Sequence, residues 1–105
     1  MTDDKLTFEA RLIDLPSEAP RCGDIKVAVA YRFHVIRLLA GKTTDETAIV
    51  LIPCPDFLGE RFFESDALYR IEASADLTES GSYTIYNDYG GQRLLWCSGI
   101  TRLQS

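Results

Sequence analysis

Histidine occurs once in the 105 residues, tryptophan once and cysteine three times. The lone histidine, His34, has no visible partner, so a general base that needs an orienting group is not indicated. An odd cysteine count fits free thiols in a reducing cytosol better than a disulfide framework. No G-x-S-x-G, H-E-x-x-H or phosphate-cradling glycine loop is present. The first residues, "MTDDKLTFEA", lack the basic head and apolar region of a secretory signal. No run is long enough to span a bilayer, because Arg32, His34 and Arg37 interrupt the apolar-rich stretch from Val27 to Ala40. These absences together predict a cytoplasmic protein with no membrane partner and no cofactor.

What is there describes an ordinary globular chain. The hydrophobic fraction is 46% and the charged fraction 26%, and the length suits one domain, residues 1–105, with a core of its own. The formal charge is −5. An acidic surface repels a phosphate backbone unless its bases cluster, so nucleic acid is a disfavoured partner.

The chain reads as strands. In "KLTFEARLIDL", Leu6, Phe8, Ala10 and Leu12 alternate with Thr7, Glu9 and Arg11, the period of a half-buried strand. "PSEAPRCGD" breaks it as a surface loop. Ile25, Val27, Val29, Tyr31, Phe33 and Val35 then alternate with Lys26, Ala28, Ala30, Arg32 and His34. After Val35 the apolar parity passes to Ile36, Leu38 and Ala40, which predicts a bulge near Val35–Ile36. A helix over residues 30–40 capped by Gly41 is the competing reading; the long β-branched alternation favours the strand. "TAIVLIPC" is nearly continuous, a strand covered on both faces. "PDFLGERFFESD" has room only for a short helical turn, with Phe57, Phe62 or Phe63 covering one end of a barrel. "ALYRIEASAD" alternates again, with Tyr69, Ile71, Ala73 and Ala75 on one side. "YTIYNDYGGQRLLWCSGITRL" reads as two strands around a Gly90–Gly91 turn, a hairpin.

The expected fold is therefore all-β and mainly antiparallel, a small barrel of five to six strands with one short helical turn between strands three and four. This order resembles the OB-fold, in which a bulged strand curves the sheet. "FEARLIDL", "DIKVAVAYRFHVIRLLAG", "ETAIVLIPCP" and "DALYRIEASA" most resemble the netrin-like modules, including the inhibitory domain of tissue inhibitors of metalloproteinases. Those modules are usually secreted and carry paired cysteines with one near the start, and this chain departs from that pattern. The inhibitory activity does not carry over, because "MTDDKL" has no cysteine to perform it.

Cys54, between two prolines in "IPCP", is the first candidate for chemistry. A reactive thiol needs a depressed pKa, and the turn opened by Pro55 gives a weak positive dipole while Asp56 opposes it. The simpler reading makes Cys54 a small buried hydrophobe beside Val50 or Ile52, with a Cys54–Cys97 contact plausible between core strands. Cys22, Cys54, Cys97 and His34 would form a Cys₃His set, but their spacing lacks the close pairs of zinc sites, so no metal is expected. His34 lies on the polar parity of its strand. Tyr83, Tyr86 and Tyr89 concentrate near Arg93. Exposed tyrosines offer contact area at low entropic cost, so these four residues are the candidate binding set.

The expected function is a non-enzymatic module that binds another protein, immunity- or adaptor-like, shielding a basic partner. Two alternatives stand beside it: an OB-fold stacking single-stranded bases on Tyr83 and Tyr86 with Arg93, and a thiol- or metal-dependent activity centred on Cys54.

Overall fold

The computed structural model describes residues 5–15, 21–23, 25–43, 45–59, 61–89 and 93–103. Within them run six strands: β1 (Lys5–Asp14), β2 (Val27–Ala40), β3 (Thr47–Pro53), β4 (Leu68–Ser74), β5 (Thr84–Tyr86) and β6 (Leu94–Leu103). The sheet order is β1-β4-β6-β3-β2, and the β1–β2 pairing closes these five strands into a barrel. Four of the barrel pairings are antiparallel, and β3 runs parallel to β6. The sheet is thus mixed rather than purely antiparallel. The parallel pair follows from chain order: a crossover through β4 separates β3 from β6, so no tight turn joins them. The barrel is OB-like, with a turn between its third and fourth strands.

Alternation decides which side chains face inward. Leu6, Phe8, Ala10 and Leu12 of β1 meet Val27, Val29, Tyr31 and Phe33 of β2, with Val50, Ile52, Tyr69, Ile71 and Leu95 completing the core. No polar or charged residue is buried among the described residues. Each large apolar side chain removed from water contributes roughly 1.5–3 kcal/mol.

The predicted bulge is present. Glu9 pairs with Arg37 and Ala10 with Val35, which leaves Ile36 without a partner on β1. The same pairing skips Leu39 and Ile13. Extra residues on one strand bend it and let a five-stranded sheet close. The inward role expected for Ile36 is corrected, because the bulged residue turns out and is 49% exposed. Leu38 lies opposite Phe8 in the ladder but is itself 36% exposed, and Ala40 is exposed too, so the apolar parity expected after Val35 is not buried.

Aromatic rings close one barrel end. Phe63 stacks on Tyr31 at 4.2 Å, and Phe62 lies 5.6 Å from the Tyr69 ring. The Tyr69 hydroxyl donates to the Phe62 carbonyl at 2.6 Å and accepts from the Glu64 N–H at 2.9 Å. Phe57 does not join them. It belongs to a 3₁₀ turn, Pro55–Leu58, whose only buried residue is Pro55.

The expected terminal hairpin is corrected as well. β5 pairs parallel with β2, Val27–Val29, and β6 pairs with β3 and β4. Gly90 and Gly91, the proposed turn, lie outside the described residues. The segment containing β5 covers the outside of the barrel. There Leu77, Tyr83, Tyr89 and Leu94 pack on Ala28, Ala30, Ile49, Leu51 and Trp96, a second apolar cluster. This explains why β3 is apolar on both faces.

Candidate functional site

Two loops meet beside the plugged end of the barrel. In the β2–β3 ladder Ala28 lies opposite Pro53, so the residues before β2 and after β3 are brought together. Cys54 donates its N–H to the Val27 carbonyl at 2.8 Å. Cys22, from the β1–β2 connection, forms a disulfide with Cys54, their Cα atoms 5.4 Å apart. The expectation that Cys54 is a free buried thiol, and that Cys97 is its neighbour, is corrected by this bond. Cys97 is the free cysteine, buried in the core, and burial pushes its thiol up to about 11. A thiol so placed is protonated and inert at neutral pH.

The signal for the bond was topological. Cys22 precedes β2 and Cys54 follows β3, and two antiparallel neighbours of matched register bring such flanks together. Counting cysteines could not show it, because the third one is core packing.

Further contacts fix the junction. The Cys22 N–H donates to Asp56 Oδ1 at 3.1 Å, and the Val27 N–H to Cys22 Sγ at 3.2 Å. The Phe57 N–H donates to the Cys54 carbonyl at 3.0 Å, closing the 3₁₀ turn. Cys54 itself sits in the left-handed region, with φ at 46°. A non-glycine residue occupies that region only when its surroundings over-determine it. On the outside of this junction stand two large apolar side chains, Phe57 at 76% and Ile25 at 63% exposed, with Leu58 less so.

The tyrosines occupy different surroundings. Tyr83 lies 5.1 Å from the Trp96 ring and under the Lys26 ammonium at 5.8 Å. Tyr89 lies 5.5 Å from the Arg32 guanidinium, which also pairs with Asp14. Both are half-buried and help seal the outer cluster, with the Trp96 Nε1–H donating to Glu79 Oε2 at 3.0 Å. Tyr86 is 44% exposed on β5. Arg93 precedes β6, where with Leu38, Gly41, Lys42, Thr43 and Asp45 it lines an open hollow of about 470 Å³. A small apolar recess of about 20 Å³ adjoins it, sharing Thr43, Asp45 and Arg93. That is room for about one water molecule.

His34 is exposed on β2, between Arg11 of β1 and Thr47 of β3. Among the described residues no three His, Cys, Asp or Glu side chains gather as a metal-binding group. No helix among them is long and apolar enough to cross a membrane. The chain matches no family model, no curated protein and no solved structure.

Proposed function

We propose that this OB-like barrel is a non-enzymatic module that binds another protein, immunity- or adaptor-like, through the disulfide-stapled end. The observation that carries the reading is the exposure of Phe57 and Ile25 on a cross-linked junction. Aromatic anchors dominate protein interfaces, and holding them rigid before contact lowers the entropy lost on binding. The net charge of −5 supports a basic partner, with apolar contact at the centre and charge steering the encounter.

The disulfide supports two finer readings. Paired cysteines agree with the netrin-like resemblance within OB-like barrels. Such bonds persist in oxidising compartments, which favours that setting over the cytoplasmic one expected from the cysteine count.

Binding of single-stranded nucleic acid draws less support. OB barrels take oligonucleotides on the face of their second and third strands, and here the chain's own segment packs on that face.

The test is affinity capture from the native source, followed by titration of the captured partner against wild type and Phe57→Ala. A basic protein that loses at least tenfold in affinity with Phe57→Ala, at unchanged melting temperature, supports the proposal. A partner indifferent to Phe57 and Ile25 refutes it. Salt-sensitive binding of mixed single strands, lost with Tyr86→Ala, moves the assignment to nucleic acid.

A further inference from the structure

We infer that the Cys22–Cys54 bond is a redox latch on the docking end: its reduction rearranges Phe57 and Ile25 while leaving the barrel closed. The functional consequence rests on the protein-binding reading above. The latch itself is a property of the chain and is testable without a partner.

The bond lies outside the barrel's ladders. β1–β4, β4–β6 and β3–β6 pair through residues none of which is Cys22 or Cys54. The β2–β3 ladder ends at Ala28 and Pro53, just before the bond. What the bond does hold is a short stretch of chain on each side. Phe57 follows Cys54 by three residues, and Ile25 follows Cys22 by three. Both exposed side chains hang from the same cross-link.

The backbone at Cys54 is poised to change. Its φ of 46° is costly for a residue with a Cβ, and prolines on both sides narrow the alternatives. The bond to Cys22 and the N–H donated to Val27 are what hold it there. With the bond gone, the conformation is no longer over-determined. Relaxation of Cys54 to an extended backbone withdraws its carbonyl from the Phe57 N–H and opens the 3₁₀ turn. On the other loop, Cys22 keeps the Asp56 carboxylate, the Val27 N–H and the Val27 carbonyl, 3.5 Å from its sulfur. The first of these partners sits on the turn that moves.

The chemistry is confined to this pair. Both cysteines are partly exposed, whereas Cys97 is buried among core residues. A small dithiol reaches the bond. Its first thiolate attacks one sulfur, forming a mixed disulfide and releasing the other cysteine as a thiolate; its second thiolate then attacks the reductant's own sulfur and displaces the attacked cysteine. Two electrons and two protons pass to Cys22 and Cys54, and the reductant leaves as its own disulfide. The protected Cys97 thiol does not enter the exchange.

The experiment compares the oxidised full chain with the same chain reduced by dithiothreitol, using ¹H–¹⁵N correlation spectra under native conditions. The expected result is that the amide signals of Cys22, Gly23, residues 25–27, Cys54 and residues 56–58 shift or broaden while those of β1, β4 and β6 stay in place. Two variants separate the backbone effect from the loss of sulfur. Cys22→Ser with Cys54→Ser should reproduce the reduced spectrum. Cys22→Ser with Cys54→Gly should keep the amide signals of residues 56–58 near their oxidised positions, because glycine accepts the left-handed conformation. Changes spread through every strand, collapse of the whole spectrum, or no change at Cys54 and residues 56–58 would each overturn the latch. A partner, once identified, should bind the reduced chain at least tenfold more weakly. Retained affinity in a chain whose spectrum shows the latch opening would count against the docking surface alone.

Discussion

Replacing Tyr69 by phenylalanine removes one oxygen atom from the plugged end of the barrel and tests how that end is held. Tyr69 is fully buried, and its hydroxyl links the Phe62 carbonyl and the Glu64 N–H. Each hydrogen bond contributes roughly 0.5–1.5 kcal/mol net, so losing both costs about 1–3 kcal/mol. Two features place the expected value in the lower half. The Phe62 carbonyl also accepts from Arg102 Nη1 at 3.4 Å, and Glu64 is exposed enough for water to reach its N–H. The ring remains, so its packing on Phe33 and Phe62 is kept. We expect a loss of about 1–2 kcal/mol, against about 3–5 kcal/mol for Tyr69→Ala, which also leaves a cavity. For a chain of this size that lowers the melting temperature by about 4–8 °C per kcal/mol. Urea unfolding followed by Trp96 fluorescence and by circular dichroism measures it, with an unchanged slope if only stability moves. Tyr69→Phe unfolding at the same urea concentration as wild type would refute the reasoning, since the hydroxyl would then hold nothing.

Replacing Cys22 and Cys54 by serine opens a cross-link of sequence separation 32. Chain entropy puts the loss at about 3.7 kcal/mol, and unfolding free energies from urea titration that differ by less than about 1 kcal/mol would contradict it. In the oxidised protein a thiol-specific mass tag should attach once, at Cys97, and only after denaturation; native labelling of Cys54 would show the bond absent. Alkali gives a further test. Burial raises Tyr31 from 10.0 to about 12 and Cys97 from 9.0 to about 11. The unfolded chain then releases these protons at lower pH than the folded one. Their stabilisation is complete below about pH 9 and is lost as pH rises to about 12, each group contributing a slope of up to about 1.4 kcal/mol per unit. A stability flat from pH 9 to 11 would refute the burial. Gly41→Ala places a Cβ 2.5 Å from the Lys5 carbonyl oxygen at a φ of 88°, so it should destabilise by more than about 1 kcal/mol. A melting temperature equal to wild type would show that the β1–β2 approach is looser than this.

Local pattern carried the inner face of the barrel and little beyond it. β4 alternates without interruption, and its buried residues are those the alternation marks. The parity change after Val35 located a bulge, because a period of two records every slip. The outer face was harder to read. Ala28 and Ala30 stand on the polar parity of β2 and are small, so their burial depended on what covered them. The cover comes from Leu77, Tyr83, Tyr89 and Leu94, distant in sequence. The same limit misplaced β5. A hairpin signal reports that two strands are close in sequence, whereas the apolar outer face and the free edge at Val27–Val29 determined its partner. The disulfide belongs to this class of nonlocal facts. Its existence depends on the β2–β3 register, which neither cysteine reveals.

The tyrosine cluster and the disulfide junction are rival docking centres, and their geometry separates them. An anchor gives binding energy by losing water on contact, so a side chain already packed has less to gain. Tyr83 and Tyr89 are half-buried on Trp96 and Arg32 and have lost part of that surface to the fold. Arg93 sits before β6, facing the hollow by Gly41, while Tyr86 pairs beside Val29. The four residues therefore do not present one continuous aromatic face. Phe57 and Ile25 keep most of their surface in water, and the backbone beneath them is cross-linked. Leaving a phenylalanine exposed at 76% offers the isolated fold almost no burial energy, yet the chain fixes that position with a disulfide and a left-handed residue. Fixing an exposed apolar group contributes when a second surface arrives to cover it. This is why the weight of the proposal rests on "IPCPDF" and not on the tyrosines of "YTIYNDY".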